Sequence, residues 1–251
     1  VTRPIGLQLY TLRQALEADF EGTLRQVADA GYVGVELAGL YGRAPRDAAS
    51  LLQSLGLEIV AMHCRVLTPE DLQNTLAEAA ALNCQRLVCP WVQPDHFASL
   101  ERIHQLAEAL NAAASAIAAE GRALYYHNHD FELQQVAGKP ALSHFVAALD
   151  PRIGLELDTY WVAVGGADPL ALLAGLGDRV GLVHIKDGAI NPARPMLAVG
   201  DGAMDYKAII PALPAGVPSL LVELDECATD MMEAVRRSAD YLVREGLGHG
   251  R

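Results

Sequence analysis

The sequence predicts a single closed (β/α)₈ barrel. Short apolar runs alternate with longer amphipathic stretches, one pair about every 30 residues, and alternation of strands with helices means a parallel sheet. The apolar runs are near-continuous, as in Gly181-Leu182-Val183-His184-Ile185, which is expected of strands covered on both faces. Eight such units take up all 251 residues without a linker, so residues 1–251 form one domain of ordinary barrel size. An open doubly wound sheet is disfavoured, because no G-x-G-x-x-G follows the first strand.

The elements follow in order. Residues 5–10 read as the first strand, and 20–30 as a helix with Leu24, Val27 and Ala28 on one face. Gly31 stops that helix and leads into a strand over 32–37. A helix over 46–55 ends at Gly56, and a strand covers 57–62. Thr68-Pro69-Glu70-Asp71 supplies an N-cap, a proline at the first helical position and acids in the first turn; the helix runs to about Leu82. Next come a strand over 86–91, an alanine-rich helix over 97–120 stopped by Gly121, and a strand over 122–128. A helix over 141–149, a strand over 153–157 and a short helix over 169–176 continue the pattern. The last units are a strand over 180–185, a helix over 206–213, a strand over 219–224 and a helix over 230–244. The connection from Asp187 to Asp205 is long, rich in Gly and Pro and aperiodic, as lids and binding loops are.

Charge and cysteines narrow the setting. Nineteen basic against 31 acidic residues give a net charge of −12, with no Lys/Arg-rich run. That balance argues against nucleic acid and anionic membranes as partners. Cys64, Cys84, Cys89 and Cys227 make no C-x-x-C, and Cys64 and Cys89 read as buried free thiols. The chain opens directly into a strand-like segment and has no apolar run of the ~20 residues that span a bilayer. A soluble cytoplasmic protein is expected, and the sequence leaves a homo-oligomer open.

In such a barrel the active site lies at the C-terminal ends of the strands. Those ends carry Gln8, Glu36, His63, Trp91, then His127, His129 and Glu132, then Asp158, His184 with Lys186, and Glu223. One charge at a wet strand end needs no function. Polar residues at this many strand ends converging on one rim make a site. Asp158, His184 and Glu223 end three neighbouring strands, and a carboxylate–imidazole set without thiolate suits Mn²⁺, Mg²⁺, Co²⁺ or Zn²⁺. A metal-free acid–histidine cluster is the alternative. Alternation places Glu36 inside the barrel mouth, where it can fix Gln8, His63 or a substrate hydroxyl.

These residues resemble the xylose-isomerase-like barrel superfamily of sugar isomerases, ketose 3-epimerases, inosose dehydratases and AP-endonuclease-type nucleases. The resemblance rests on Ile5-Gly6-Leu7-Gln8-Leu9-Tyr10-Thr11, Gly31-Tyr32-Val33-Gly34-Val35-Glu36, Val183-His184-Ile185-Lys186-Asp187 and Gly200-Asp201-Gly202 with Asp205-Tyr206. It implies a metal held by a strand-five Glu and by Asp158, His184 and Glu223. Where the epimerases place the strand-five Glu, this chain reads Tyr125-Tyr126-His127-Asn128-His129, so His127 is the nearest candidate ligand. Glu132 matches a downstream Glu that contacts substrate in such epimerases, and could also reach the metal. Trp161 stands where relatives often have His, which argues against a multinuclear nuclease-type site.

The implied activity is a metal-dependent isomerase or epimerase acting on a sugar, keto-sugar or cyclitol by proton abstraction next to a carbonyl. Glu223, or Glu132 from across the pocket, is the expected base. His63, His129 and Lys186 are expected to meet substrate hydroxyls or shuttle protons. Trp91, Trp161 and Tyr10 are candidates to stack on a sugar face. Gln8 and Glu36 complete the expected substrate-binding set. A dehydratase on the same scaffold and a catalytically silent sugar-binding protein are the rival readings. Phosphate-binding donors are few (Arg65, Lys186, Arg194 and the loop glycines), which favours an unphosphorylated substrate.

Overall fold

A computed structural model describes residues 2–251. Eight parallel strands form the barrel: β1 (Arg3–Gln8), β2 (Gly34–Leu37), β3 (Glu58–His63), β4 (Arg86–Cys89), β5 (Ala123–His127), β6 (Gly154–Asp158), β7 (Val180–Ile185) and β8 (Leu220–Val222). Each pairs with the next in sequence, and β8 returns to β1 through Ile5↔Leu220, Gly6↔Leu221 and Leu7↔Val222, which closes the ring. Gly248–His249 adds a short parallel segment at the start of β1. A small antiparallel hairpin, Gln135–Val136 with Lys139–Pro140, follows β5. Among the described residues no helix is long and apolar enough to cross a membrane. Cys64, Cys84 and Cys89 are buried free thiols.

Local chemistry sets the element ends. Thr68 Oγ1 accepts from the Asp71 amide at 3.1 Å and starts the helix Pro69–Leu82, which ends on left-handed Asn83. Asp168 caps Pro169–Leu176 and Asp230 caps Met231–Arg244 in the same way. Several bounds differ from the sequence reading: the strands expected over 32–37, 86–91 and 219–224 shorten to Gly34–Leu37, Arg86–Cys89 and Leu220–Val222. β1 stops at Gln8, because the Gln8 side chain accepts from the Tyr10 amide at 2.9 Å and turns the chain into a 3₁₀ turn over Leu9–Leu12. The long helix begins at Leu100, where Ser99 caps it; Pro94–Phe97 is a separate 3₁₀ turn. Thr159–Val164 is a helix that the sequence pattern hides. The sequence analysis assigns no element there, since β-branched and aromatic residues are weak helix formers, but Asp158 Oδ1 accepts from the Trp161 amide at 2.8 Å and caps it.

Strand alternation separates two kinds of packing. Outward residues such as Ile5, Leu7, Val35, Leu87, Leu155 and Val183 are buried in the large core beneath the helices. Inward residues form a small cluster of their own: Val60, Ala61, Val88, Leu182 and Leu221, with Tyr125 against them. Gly154 and Gly181, on the two strands beyond β5, leave room for the Tyr125 ring; a Cβ on either would run into it. One pleat further along, the inward positions become Gln8, Glu36, His63, His127, Glu156 and His184.

The 187–205 connection is pinned. The buried Asp187 carboxylate accepts from the amides of Gly188 (2.8 Å), Gly200 (2.9 Å), Gly202 (3.2 Å) and Met204 (3.1 Å). Gly202 has no room for a Cβ beside that carboxylate. Met196 and Val199 are buried, and the Val199 amide donates to Ser238 Oγ at 2.9 Å. The loop is thus tied to the barrel and the last helix, and its residues do not line the cavity described next.

Candidate active site

A cavity of about 600 Å³ opens at the C-terminal end of the barrel. His63, Trp91, His129, Trp161, Lys186 and Glu223 all line it, joined by Tyr10, Arg65, His127 and Asp225. Trp91 and Tyr10 stand at its edge, 49% and 42% exposed.

Below the cavity lies a buried polar floor. Gln8 Nε2 donates to Glu36 Oε2 at 2.7 Å, and the same oxygen lies 2.7 Å from His184 Nε2 and 3.4 Å from His63 Nε2. Glu156 Oε2 lies 3.1 Å from His63 Nε2, 3.2 Å from His184 Nε2 and 3.2 Å from His127 Nδ1. Gln8 and Glu36 are fully buried and do not line the cavity. Their placement makes them supports for the histidines rather than contacts for a substrate.

Above the floor, four side chains converge. One ligand atom each from His127, Asp158, His184 and Glu223 lies within 4.8 Å of the other three. His184 Nδ1 sits 2.7 Å from Glu223 Oε2, and His127 Nε2 sits 3.9 Å from Asp158 Oδ2. Lys186 Nζ closes the group at 3.0 Å from Asp158 Oδ2, 2.9 Å from Glu223 Oε2 and 3.0 Å from Asp225 Oδ2. Asp158 therefore works twice: Oδ1 caps the Thr159–Val164 helix and Oδ2 faces the cluster. Asn128 fixes the turn from beside it, its Oδ1 accepting from the Asp158 amide at 3.0 Å.

The electrostatics follow from burial and from an excess of acid. Glu36, Glu156, Asp158, Glu223 and Asp225 meet a single lysine and three histidines in this connected set. Burial opposes charge on His184, but the Glu156, Glu223 and Glu36 carboxylates outweigh it and raise its pKa well above the ordinary value. The same contest, with Glu36 the foremost carboxylate, lifts His63 to about 10. Burial is also opposed and overcome at Lys186, held charged by Asp158, Glu223 and Asp225, and at Glu223, held ionised by Lys186 and His184. Burial wins at Asp158, pushed up to about 6. It wins at His127 too, well below its ordinary value, with His184 adding to it, and at His129, lowered to about 3. A neutral His127 keeps a ring lone pair free for a cation.

The donor set fits a divalent metal. Asp158 Oδ2 and Glu223 Oε2 are buried against Lys186 Nζ and the histidine rings, and buried carboxylates cost free energy unless positive charge satisfies them. Two imidazoles and two carboxylates suit Mn²⁺, Co²⁺ or Zn²⁺ better than an all-oxygen site would. Glu36 on His184 Nε2 is placed as a carboxylate that would orient such an imidazole on a cation.

Glu132 is not brought to the cavity. It is fully buried behind β5, where Tyr126 Oη donates to Oε1 at 2.7 Å and the His129 amide donates to Oε2 at 2.9 Å. Both oxygens are engaged in holding the turn that presents His129, so the expected base role does not match its position. Glu156 and Asp225 also stand at strand ends in the sequence but had no role assigned to them. Glu156 had a usable signal: it is two residues before Asp158 in an apolar run, so both must face one side.

The family model for the xylose isomerase-like TIM barrel matches residues 24–242, well over half of the chain. The chain belongs to that family. Among solved structures it is similar to a sugar phosphate isomerase/epimerase from Parabacteroides distasonis, 26% identical with a TM-score of 0.81, covering 96% of this chain and 94% of that one. An L-ribulose 3-epimerase structure, 20% identical with a TM-score of 0.75 over 98% of this chain and 94% of the other, shares the fold. Among curated proteins it is similar to an inosose dehydratase of Geobacillus kaustophilus, 26% identical over 188 residues. That match spans 65% of this chain and 60% of the relative.

Proposed function

We propose that this protein is a metal-dependent enzyme that abstracts a proton next to the carbonyl of a sugar, keto-sugar or cyclitol, giving isomerisation or epimerisation. The observation that carries the proposal is the convergence of His127, Asp158, His184 and Glu223, with one ligand atom each within 4.8 Å of the others, beside a cavity that His127 and Glu223 line. These four residues would hold the cation. A divalent metal held there would supply Lewis acidity to a substrate carbonyl. Glu223, ionised and at the cavity wall, takes the proton from the carbon next to the carbonyl. Lys186 Nζ and the His129 ring lie at the same wall to hold substrate hydroxyls or return a proton. Trp161 and Trp91 flank the space as stacking faces for a sugar ring. Arg65 is the one arginine lining the cavity and Lys186 is engaged by three carboxylates, which favours an unphosphorylated substrate.

A specific observation supports a dehydratase as the second reading. The cavity-lining carboxylates, Glu223 and Asp225, both come from the end of β8, and Glu132 is turned away. A single-sided base suits loss of a β-hydroxyl better than proton return to the opposite face. The similarity to an inosose dehydratase agrees with this.

The experiment is incubation of metal-loaded protein with ketoses and inososes in D₂O, followed by NMR. Deuterium next to the carbonyl of an isomer supports the first reading, and an unsaturated or deoxy product supports the second. Metal content decides the premise. If wild type binds no divalent metal more tightly than Asp158→Ala and Glu223→Ala do, the proposed mechanism fails.

A further inference from the structure

Lys186 touches the same two oxygens that the proposed metal needs. Its Nζ is 3.0 Å from Asp158 Oδ2 and 2.9 Å from Glu223 Oε2, and both atoms belong to the converging set of four. A side chain that is 1% exposed and carries an ammonium is costly to bury unless it is paired. Here the pairing is with the metal ligands themselves. An ammonium and a divalent cation cannot share those oxygens at full strength, because each is attracted by the same negative charge and repels the other.

Lys186 also has a second place to rest. Asp225 Oδ2, outside the four-residue set, lies 3.0 Å from Nζ, and the Trp161 ring centroid lies 5.6 Å away. A carboxylate and an indole face are both good partners for an ammonium. Asp225 and Trp161 line the cavity, as Lys186 does.

We infer that Lys186 is a built-in occupant of the cation site, which a divalent metal displaces from Asp158 and Glu223 onto Asp225 and Trp161 at the cavity wall. The inference rests on the metal-site reading above. In the metal-free protein the ammonium neutralises the ligand carboxylates and keeps the site folded. In the metal-loaded protein the same ammonium is released to donate hydrogen bonds to a bound oxygen. Metal loading and the arming of Lys186 are then one event.

The test uses chelator-stripped full chain at one fixed pH. Wild type and Lys186→Met are titrated with Mn²⁺ and with Zn²⁺ by calorimetry. Removal of the competing ammonium is expected to tighten metal binding at least tenfold. A second measurement needs only wild type. The chain has three lysines, Lys139, Lys186 and Lys207, so lysine-selective ¹⁵N labelling gives three side-chain signals. Zn²⁺ is expected to move the Lys186 signal and leave the other two in place. If wild type binds metal, Lys186→Met binds it equally or more weakly and the Lys186 signal stays still, the displacement is overturned while the metal site stands. If neither protein binds metal, the metal-site reading itself falls. If Lys186→Met does not fold, the wild-type signal decides.

Discussion

The two ends of the barrel interior are built from the same eight strands and could hardly differ more. At the N-terminal end Val60, Ala61, Val88, Leu182 and Leu221, with the partly buried Tyr125 ring against them, make an apolar plug, and small glycines let the ring in. One pleat nearer the C-terminal end the same strands carry Gln8, Glu36, His63, His127, Glu156 and His184. The plug gains stability from burial of apolar surface. The polar end carries buried carboxylates that only pairing or a bound cation can satisfy. Apolar packing and the proposed site therefore fall in different layers of one barrel, as expected when a site that costs stability is carried by a scaffold stabilised elsewhere.

That division can be broken by experiment. The largest effect is expected from Glu223→Ala, which removes both a proposed ligand and the proposed base. Metal content should vanish and turnover should fall by roughly 10³-fold or more, and the metal-free protein should melt lower, because Lys186 and His184 lose a buried partner. Elemental analysis and calorimetric melting check the two halves. The mirror experiment is Tyr125→Ala in the plug. It should cost about 3 kcal/mol and lower the melting temperature by roughly 6–12 °C, with metal affinity unchanged. A large loss of metal affinity there would show that the layers are not separate.

Protonation sharpens the contrast behind the polar end. Burial raises the Glu132 carboxyl from its ordinary 4.5 to about 7. The folded state thus prefers the protonated acid. Stability is fullest below about 4.5, declines as pH rises to about 7 and is level above it. Over that window the loss is on the order of 1–3 kcal/mol, and Glu132→Gln should flatten it in denaturant titrations run across pH. Next in size is Glu36→Gln, which keeps the shape of the floor but removes the charge on His184 Nε2. Metal affinity should fall by roughly 10–100-fold, read by calorimetry. The smallest effect is expected from Gly181→Ala, which presses a methyl onto the Tyr125 ring. It should cost roughly 1–2 kcal/mol, seen as a lower melting temperature with the metal site intact.

Much of this architecture was legible in the residues. Pro69–Leu82, Pro169–Leu176 and Val180–Ile185 lie where capping residues and apolar runs placed them. Asp158, His184 and Glu223 were readable as neighbours, because parallel strands joined by helices bring successive strand ends together. Other features were hidden. Thr159–Val164 gave no periodic signal because its short helix depends on one carboxylate cap. The 187–205 segment looked like a lid because its anchor, one buried aspartate gathering four amides, leaves no local pattern.

The sequence by itself determined the barrel and the supply of acids and histidines at one rim. Periodicity and capping are local, and they need only the neighbouring residues. The tertiary structure decided which of those side chains face the cavity. It turned Glu132 behind β5, sank Gln8 and Glu36 into the floor and set Lys186 against Asp158, Glu223 and Asp225. Sidedness after a strand has ended depends on the turn that follows, and a contact between β6, β7 and β8 depends on their register. Neither is a property of any short stretch of chain.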